Sequence, residues 1–179
     1  MPVVSGAEFL KAARKGGYAV GGYNTNNLEW TQAILEAAEA KKAPVLIQTS
    51  MGAAKYMGGY KVAKDMITNL VDSMNITVPV AIHLDHGDYE AALECIEVGY
   101  TSIMFDGSHL PFEENLKLAK DVVEKAHAKG ISVECEVGSI GGEEDGIIGT
   151  GELADIEECK QMVATGIDYL ACGIGNIHG

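Results

Sequence analysis

Short apolar runs alternate along the chain with longer amphipathic stretches, and glycines mark many of the junctions. Six runs read as β-strands: Tyr18–Tyr23 (YAVGGY), Pro44–Thr49 (PVLIQT), Val78–Leu84 (VPVAIHL), Thr101–Phe105 (TSIMF), Ile131–Val137 (ISVECEV) and Tyr169–Ile174 (YLACGI). Several are almost continuously apolar, the pattern of a parallel strand covered by helices. The stretches between them carry helix-end signals. Ser5 and Glu8 have capping-box spacing. Pro111 suits the start of a helix ending near Gly130, and Asp155 the cap of one ending near Gly166. Six strands with helical connections predict a parallel α/β sheet.

The polar positions choose between an open doubly wound sheet and a (β/α)8 barrel. In VECEV, Glu134 and Glu136 share one face of the strand, and Val133, Cys135 and Val137 the other. Two carboxylates against a helix layer are costly, whereas at a barrel mouth they reach water. The strand ending HLDH and the one ending GNIH also finish in polar groups, and TIM-barrel sites collect at that rim. A (β/α)8 TIM barrel is therefore expected. Such barrels take roughly 250 residues and eight strands, so these 179 residues read as one domain supplying the first six strands.

Composition narrows the function classes. With 47% hydrophobic residues the chain can bury a core without metal or disulfide staples. Lys plus Arg is 13 against 26 Asp plus Glu, a formal charge of −13, which disfavours nucleic acid and anionic membranes as partners. No apolar run approaches a membrane span, and the amino terminus lacks the apolar core of a signal peptide. Cys95, Cys135, Cys159 and Cys172 form no CxxC pair and read as buried free thiols of a cytoplasmic protein.

Chemistry-bearing residues gather at strand ends. His83-Leu84-Asp85-His86-Gly87 combines a zinc-ligand type, a proton-transfer type and a turn-permitting glycine. Alternation puts Asp85 and His86 on opposite faces, so a shared pocket requires the strand to end there. Asp106 follows the fourth strand, where a turn-former is the competing reading; His109 reads as a solvated loop histidine. After strand five comes GGEEDG, a glycine-bracketed acidic loop with the character of a lid. GIGNIHG closes strand six, its glycines allowing close approach of backbone to a ligand. No nucleophile elbow, phosphate loop or dinucleotide fingerprint is present, and no lysine sits at a strand end for imine chemistry. The set reads as a divalent cation with carboxylates that move protons.

Those motifs, HLDHG, GGEEDG and GNIHG in that order, together with YAVGGYNTNNLEW, APVLIQTSMGAAKYMGG and MFDGSH, resemble the class II, zinc-dependent fructose-1,6-bisphosphate aldolases of the bacterial type along the whole chain. The resemblance implies Zn2+ as cofactor, with His86 and His178 as ligands. Asp106 and Glu136 match the positions of a second or alternative cation site. It implies Asp85 as the acid/base at the bonded hydroxyl and Glu144 as the lid carboxylate. Ser50, Gly179 and Asn24 become substrate contacts. A third zinc histidine and most of the phosphate site are expected on strands seven and eight, outside these residues. The implied substrates are fructose 1,6-bisphosphate and the triose phosphates, the implied assembly a homodimer or larger homo-oligomer. Tagatose 1,6-bisphosphate cleavage and an inactive metal-binding fragment are the alternatives.

Overall fold

The computed structural model describes residues 2–144, 147–149 and 151–178, with the backbone alone for Glu144, Ile147 and Ile148. In chain order the elements are α1 (Gly6–Gly16), β1 (Gly21–Asn24), α2 (Leu28–Lys41), β2 (Val45–Ser50), α3 (Met51–Met57), α4 (Tyr60–Ser73) and β3 (Val80–Gly87). They continue with α5 (Tyr89–Val98), β4 (Ser102–Phe105), α6 (Phe112–His127), β5 (Ser132–Val137), β6 (Gly142–Glu144), β7 (Ile147–Gly149), α7 (Ile156–Val163) and β8 (Tyr169–Cys172).

Six strands form one sheet in the order β1-β2-β3-β4-β5-β8, every neighbouring pair parallel. That unbroken order decides the architecture. A doubly wound sheet reverses its strand order at a switch point. Here each strand pairs with the one before it, so right-handed crossovers leave the connecting helices on one side, as in a barrel wall. The helix-covered face holds the main core, including Leu35, Ile47, Ile67, Ile82, Leu84, Ile103, Phe105, Val133, Cys135 and Met162. Strands buried on both faces account for the continuous apolar runs.

The inner face is different. A small cluster of Phe9, Leu46 and Ala81 lies under α1, and above it the inward positions turn polar: Gln48, His83, Ser102, Ser132 and Glu134. The first turn of α1 docks against this layer, its Gly6 N–H donating to Ser132 Oγ at 3.1 Å. A Cβ on Gly6 would stand 2.5 Å from Tyr169 OH.

Several sequence-based expectations are corrected. Ser5 precedes α1 but its side chain caps nothing, so the capping box with Glu8 does not form. Met51–Met57 is a seven-residue helix capped by Ser50, whose Oγ accepts from Ala53 N–H. The acidic loop after strand five is a two-stranded hairpin, β6 antiparallel to β7. Cys95 and Cys135 are buried free thiols, whereas Cys159 and Cys172 are only half-buried. Asp155 caps α7 as expected, accepting from the N–H groups of Glu157 and Glu158.

The α1 docking gives a test. Gly6→Ala forces Tyr169 out of its place in a packed interior, an overpacking cost of about 1–3 kcal/mol. Urea unfolding should report that loss; an unchanged midpoint would contradict the seating of α1 against Tyr169.

Candidate active site

The site begins with a backbone irregularity. Leu84 pairs with Ile103 and Gly87 with Phe105, so three residue steps on β3 run against two on β4. This is a one-residue bulge, and His86 takes the extra residue's place with φ +47°. β3 therefore continues through HLDHG instead of stopping, which corrects the sequence expectation. Asp85 keeps the inward face it shares with His83, and the bulge re-aims His86, which alternation alone would have turned outward. A Cβ on Gly87 would meet the Leu84 side chain at 2.3 Å, so the residue after the bulge can only be very small.

Asp85 is buried, and each of its carboxylate oxygens accepts one amide hydrogen bond. Asn24 Nδ2 donates to Oδ2 at 2.7 Å and Gln48 Nε2 to Oδ1 at 2.9 Å. Two neutral donors from β1 and β2 thus fix the carboxylate plane without neutralising its charge. His86 Nδ1 lies 2.8 Å from Asp106 Oδ2 and 3.8 Å from Glu136 Oε2. Asp106 also accepts from Ser108 N–H through Oδ1, so it forms the turn while its other oxygen meets His86. Burial pushes the Asp106 carboxyl up, but hydrogen bonds from His86 and Ser108 outweigh it and hold it below its ordinary value. Glu136 is buried, its Oε1 accepting from Ile140 N–H at the base of the β6–β7 hairpin.

His86, Asp106 and Glu136 offer three ligand atoms within 4.8 Å of one another. Tetrahedral donors at zinc bond lengths stand about 3.3 Å apart, between the two spacings measured from His86 Nδ1. The donor types and spacing fit a divalent cation. The His178 ring stands beside this triad, its centroid 5.0 Å from that of His86 at 78°. His178 is tied to the hairpin: its N–H donates to Gly141 O, and Gly141 N–H donates to Asn176 O.

Ser50 and Asn24 line one cleft of about 350 Å³ with Trp30 and Tyr56. His109 is an exposed loop residue, as expected. Glu144 contributes only its backbone to the described residues, paired with Ile147; its side chain and Gly179 lie outside them. One residue at the site escaped the sequence reading. Gln48 stands two positions before Ser50 on the same face of β2, a signal alternation offered. His83 and Glu134 face each other across the interior, Nε2 to Oε2 at 3.5 Å. Burial lowers His83 to about 4 and, with the nearby Asp85 charge, raises Glu134 to about 7.

Comparison with known proteins now has a geometry to meet. The family model for fructose-bisphosphate aldolase class-II matches residues 4–179. The chain belongs to the class II fructose-bisphosphate aldolase family. It is 83% identical over 179 residues to a fructose-bisphosphate aldolase of Streptococcus pneumoniae serotype 4, covering 100% of this chain and 61% of that protein. It is 79% identical to one from Streptococcus pyogenes serotype M3, with the same coverage. The crystal structure of a putative fructose-1,6-biphosphate aldolase from Coccidioides immitis superposes with a TM-score of 0.88 at 34% identity, covering 100% of this chain and 63% of that one. The chain spans about three-fifths of the length of the curated aldolases it matches.

The Glu134 environment makes a pH prediction. Its folded value, about 7, exceeds the ordinary 4.5, so ionising it costs stability progressively as pH rises through that interval. Glu134→Gln removes the cost. In chelator, the variant should match wild type near pH 4.5 and exceed it at pH 8; a stability difference independent of pH would contradict the buried position.

Proposed function

We propose that this chain carries the metal and acid–base half of an aldolase site. The reaction is reversible cleavage of fructose 1,6-bisphosphate to dihydroxyacetone phosphate and glyceraldehyde 3-phosphate. The observation that carries the reading is the His86–Asp106–Glu136 triad beside a buried Asp85 held by two amides. Family membership and 83% identity to a named fructose-bisphosphate aldolase support it.

His86 and His178 would hold a zinc ion, with Asp106 and Glu136 offering an alternative position for it or for a second cation. The ion supplies Lewis-acid stabilisation of negative charge on the substrate's oxygens, a task for which no lysine imine is then needed. Asp85 takes the C4 hydroxyl proton in cleavage and returns it in condensation. Asn24 and Gln48 orient Asp85 by filling one position on each oxygen. Glu144, on β6, moves the proton at the dihydroxyacetone phosphate carbon. Ser50 and Gly179 contact the substrate's two ends, and Asn24 lines the same cleft as Ser50. The wider reading is a cytoplasmic glycolytic enzyme, a homodimer or larger homo-oligomer, whose partners are small sugar phosphates. Strand edges on β1 and β8 are the places where further barrel strands would pair.

The test is aldol cleavage by the protein with and without chelator. Cleavage should vanish with EDTA and return with zinc, and Asp85→Asn should lower kcat by about 10²–10⁴-fold, the usual worth of one acid–base group. Turnover that survives chelation, or an unimpaired Asp85→Asn enzyme, would overturn the mechanism. Faster cleavage of tagatose 1,6-bisphosphate would overturn the substrate.

A further inference from the structure

The aldolase reading leaves the most deeply buried histidine without a task. His83 is 1% exposed and sits inside the barrel, one inward position below Asp85. Its Nδ1 is 2.7 Å from Ser102 Oγ, and Ser102 Oγ is 2.5 Å from Tyr169 OH. Tyr169 OH is in turn 2.5 Å from Ser132 Oγ, which accepts from Gly6 N–H in the first turn of α1. On the other side of the ring, Nε2 faces Glu134 Oε2 at 3.5 Å. A file of short polar contacts thus runs from α1 to the His83 ring, whose far nitrogen makes a longer contact with the Glu134 carboxylate.

Proton counting orients this file. Three short contacts, Nδ1 to Ser102, Ser102 to Tyr169 and Tyr169 to Ser132, are served by three hydroxyl hydrogens, one from each of those residues. If all three point toward His83, Nδ1 is an acceptor and the single ring hydrogen sits on Nε2, directed at Glu134. The opposite orientation places the hydrogen on Nδ1 and sends the Ser132 hydroxyl to Thr101 O at a longer 3.3 Å. It also leaves a bare Nε2 lone pair facing a carboxylate oxygen.

We propose that His83 is a positioning residue: the hydroxyl file locks it as the Nε2–H tautomer, and that N–H holds the Glu134 carboxylate toward the His86–Asp106–Glu136 cluster. Glu134, two positions before Glu136 on the same inward face of β5, then faces the cation site without being one of its ligands. The burial that keeps His83 neutral is consistent with a donor of fixed direction. This role rests on the cluster taking a divalent cation, and its tests need no sugar phosphate. Failure of aldol cleavage is therefore distinguishable from failure here.

The first readout is the tautomer, from long-range 1H–15N correlation spectra of the metal-free protein at pH 8. Wild type should show His83 with Nε2 protonated and Nδ1 bare. Glu134→Leu removes the acceptor, so the file should reverse and Nδ1 should carry the hydrogen. A wild-type Nδ1–H ring, or a tautomer indifferent to Glu134→Leu, would overturn the proposal. The second readout is cobalt(II) affinity. His83→Leu should weaken it about tenfold or more, the usual cost of losing an outer partner of a metal site. His83→Gln, which still offers an acceptor to Ser102 and a donor to Glu134, should recover most of that loss. Equal affinity in all three proteins, or equal loss in both variants, would overturn it; absent cobalt binding in wild type sinks the cation reading and leaves the tautomer to decide.

Discussion

One extra residue in β3 is the constraint on which the site depends. In a regular strand, Asp85 and His86 would point to opposite sides of the barrel wall, one to the interior and one into the helix layer. The bulge breaks the period of two for a single step, and His86 adopts a left-handed backbone to do it. A non-glycine residue there carries a strain of order 1–3 kcal/mol. The surroundings over-determine it. Gly87 admits the Leu84 side chain beneath the turn, Asp106 N–H donates to Gly87 O at 2.9 Å, and the His86 ring is received by Asp106. Strain stored at one residue is how a carboxylate and an imidazole that are chain neighbours come to face one mouth.

The rest of the barrel works around that pair. β1 and β2 bring amide donors to Asp85; the turn after β4 and strand β5 bring carboxylates to His86. Asp85, Asp106, Glu134 and Glu136 crowd a small volume with negative charge, and such a volume favours a divalent cation through a field that counterions in bulk solvent do not cancel. The base of the β6–β7 hairpin and His178 are joined through Gly141.

Much of this was legible in the sequence, and the reasons for the remainder are physical. All six barrel strands lie within or beside the apolar runs, because burial on both faces is written as continuous hydrophobicity. The start of β1 was misread: Tyr18–Val20 has strand composition, but pairing with β2 begins only at Gly21, and Val20 packs instead against the cluster under α1. The bulge was invisible because histidine does not advertise a left-handed backbone as glycine does. Ser5 had the right spacing for a capping box and still failed, since a cap needs side-chain geometry that spacing cannot supply. The face shared by Glu134 and Glu136 was readable from alternation; the histidine opposite Glu134 was not, because it requires knowing which strands adjoin.

The central claim is that the bulge delivers His86 to a cation shared with the carboxylates of the turn after β4 and of strand β5. The most direct measurement is a crystal of the protein grown with zinc, with anomalous maps collected on both sides of the zinc absorption edge. The account predicts a peak about 2.0–2.2 Å from a His86 ring nitrogen, with Glu136, Asp106 or His178 completing the set. A fully occupied zinc elsewhere, with His86 uncoordinated, would contradict it.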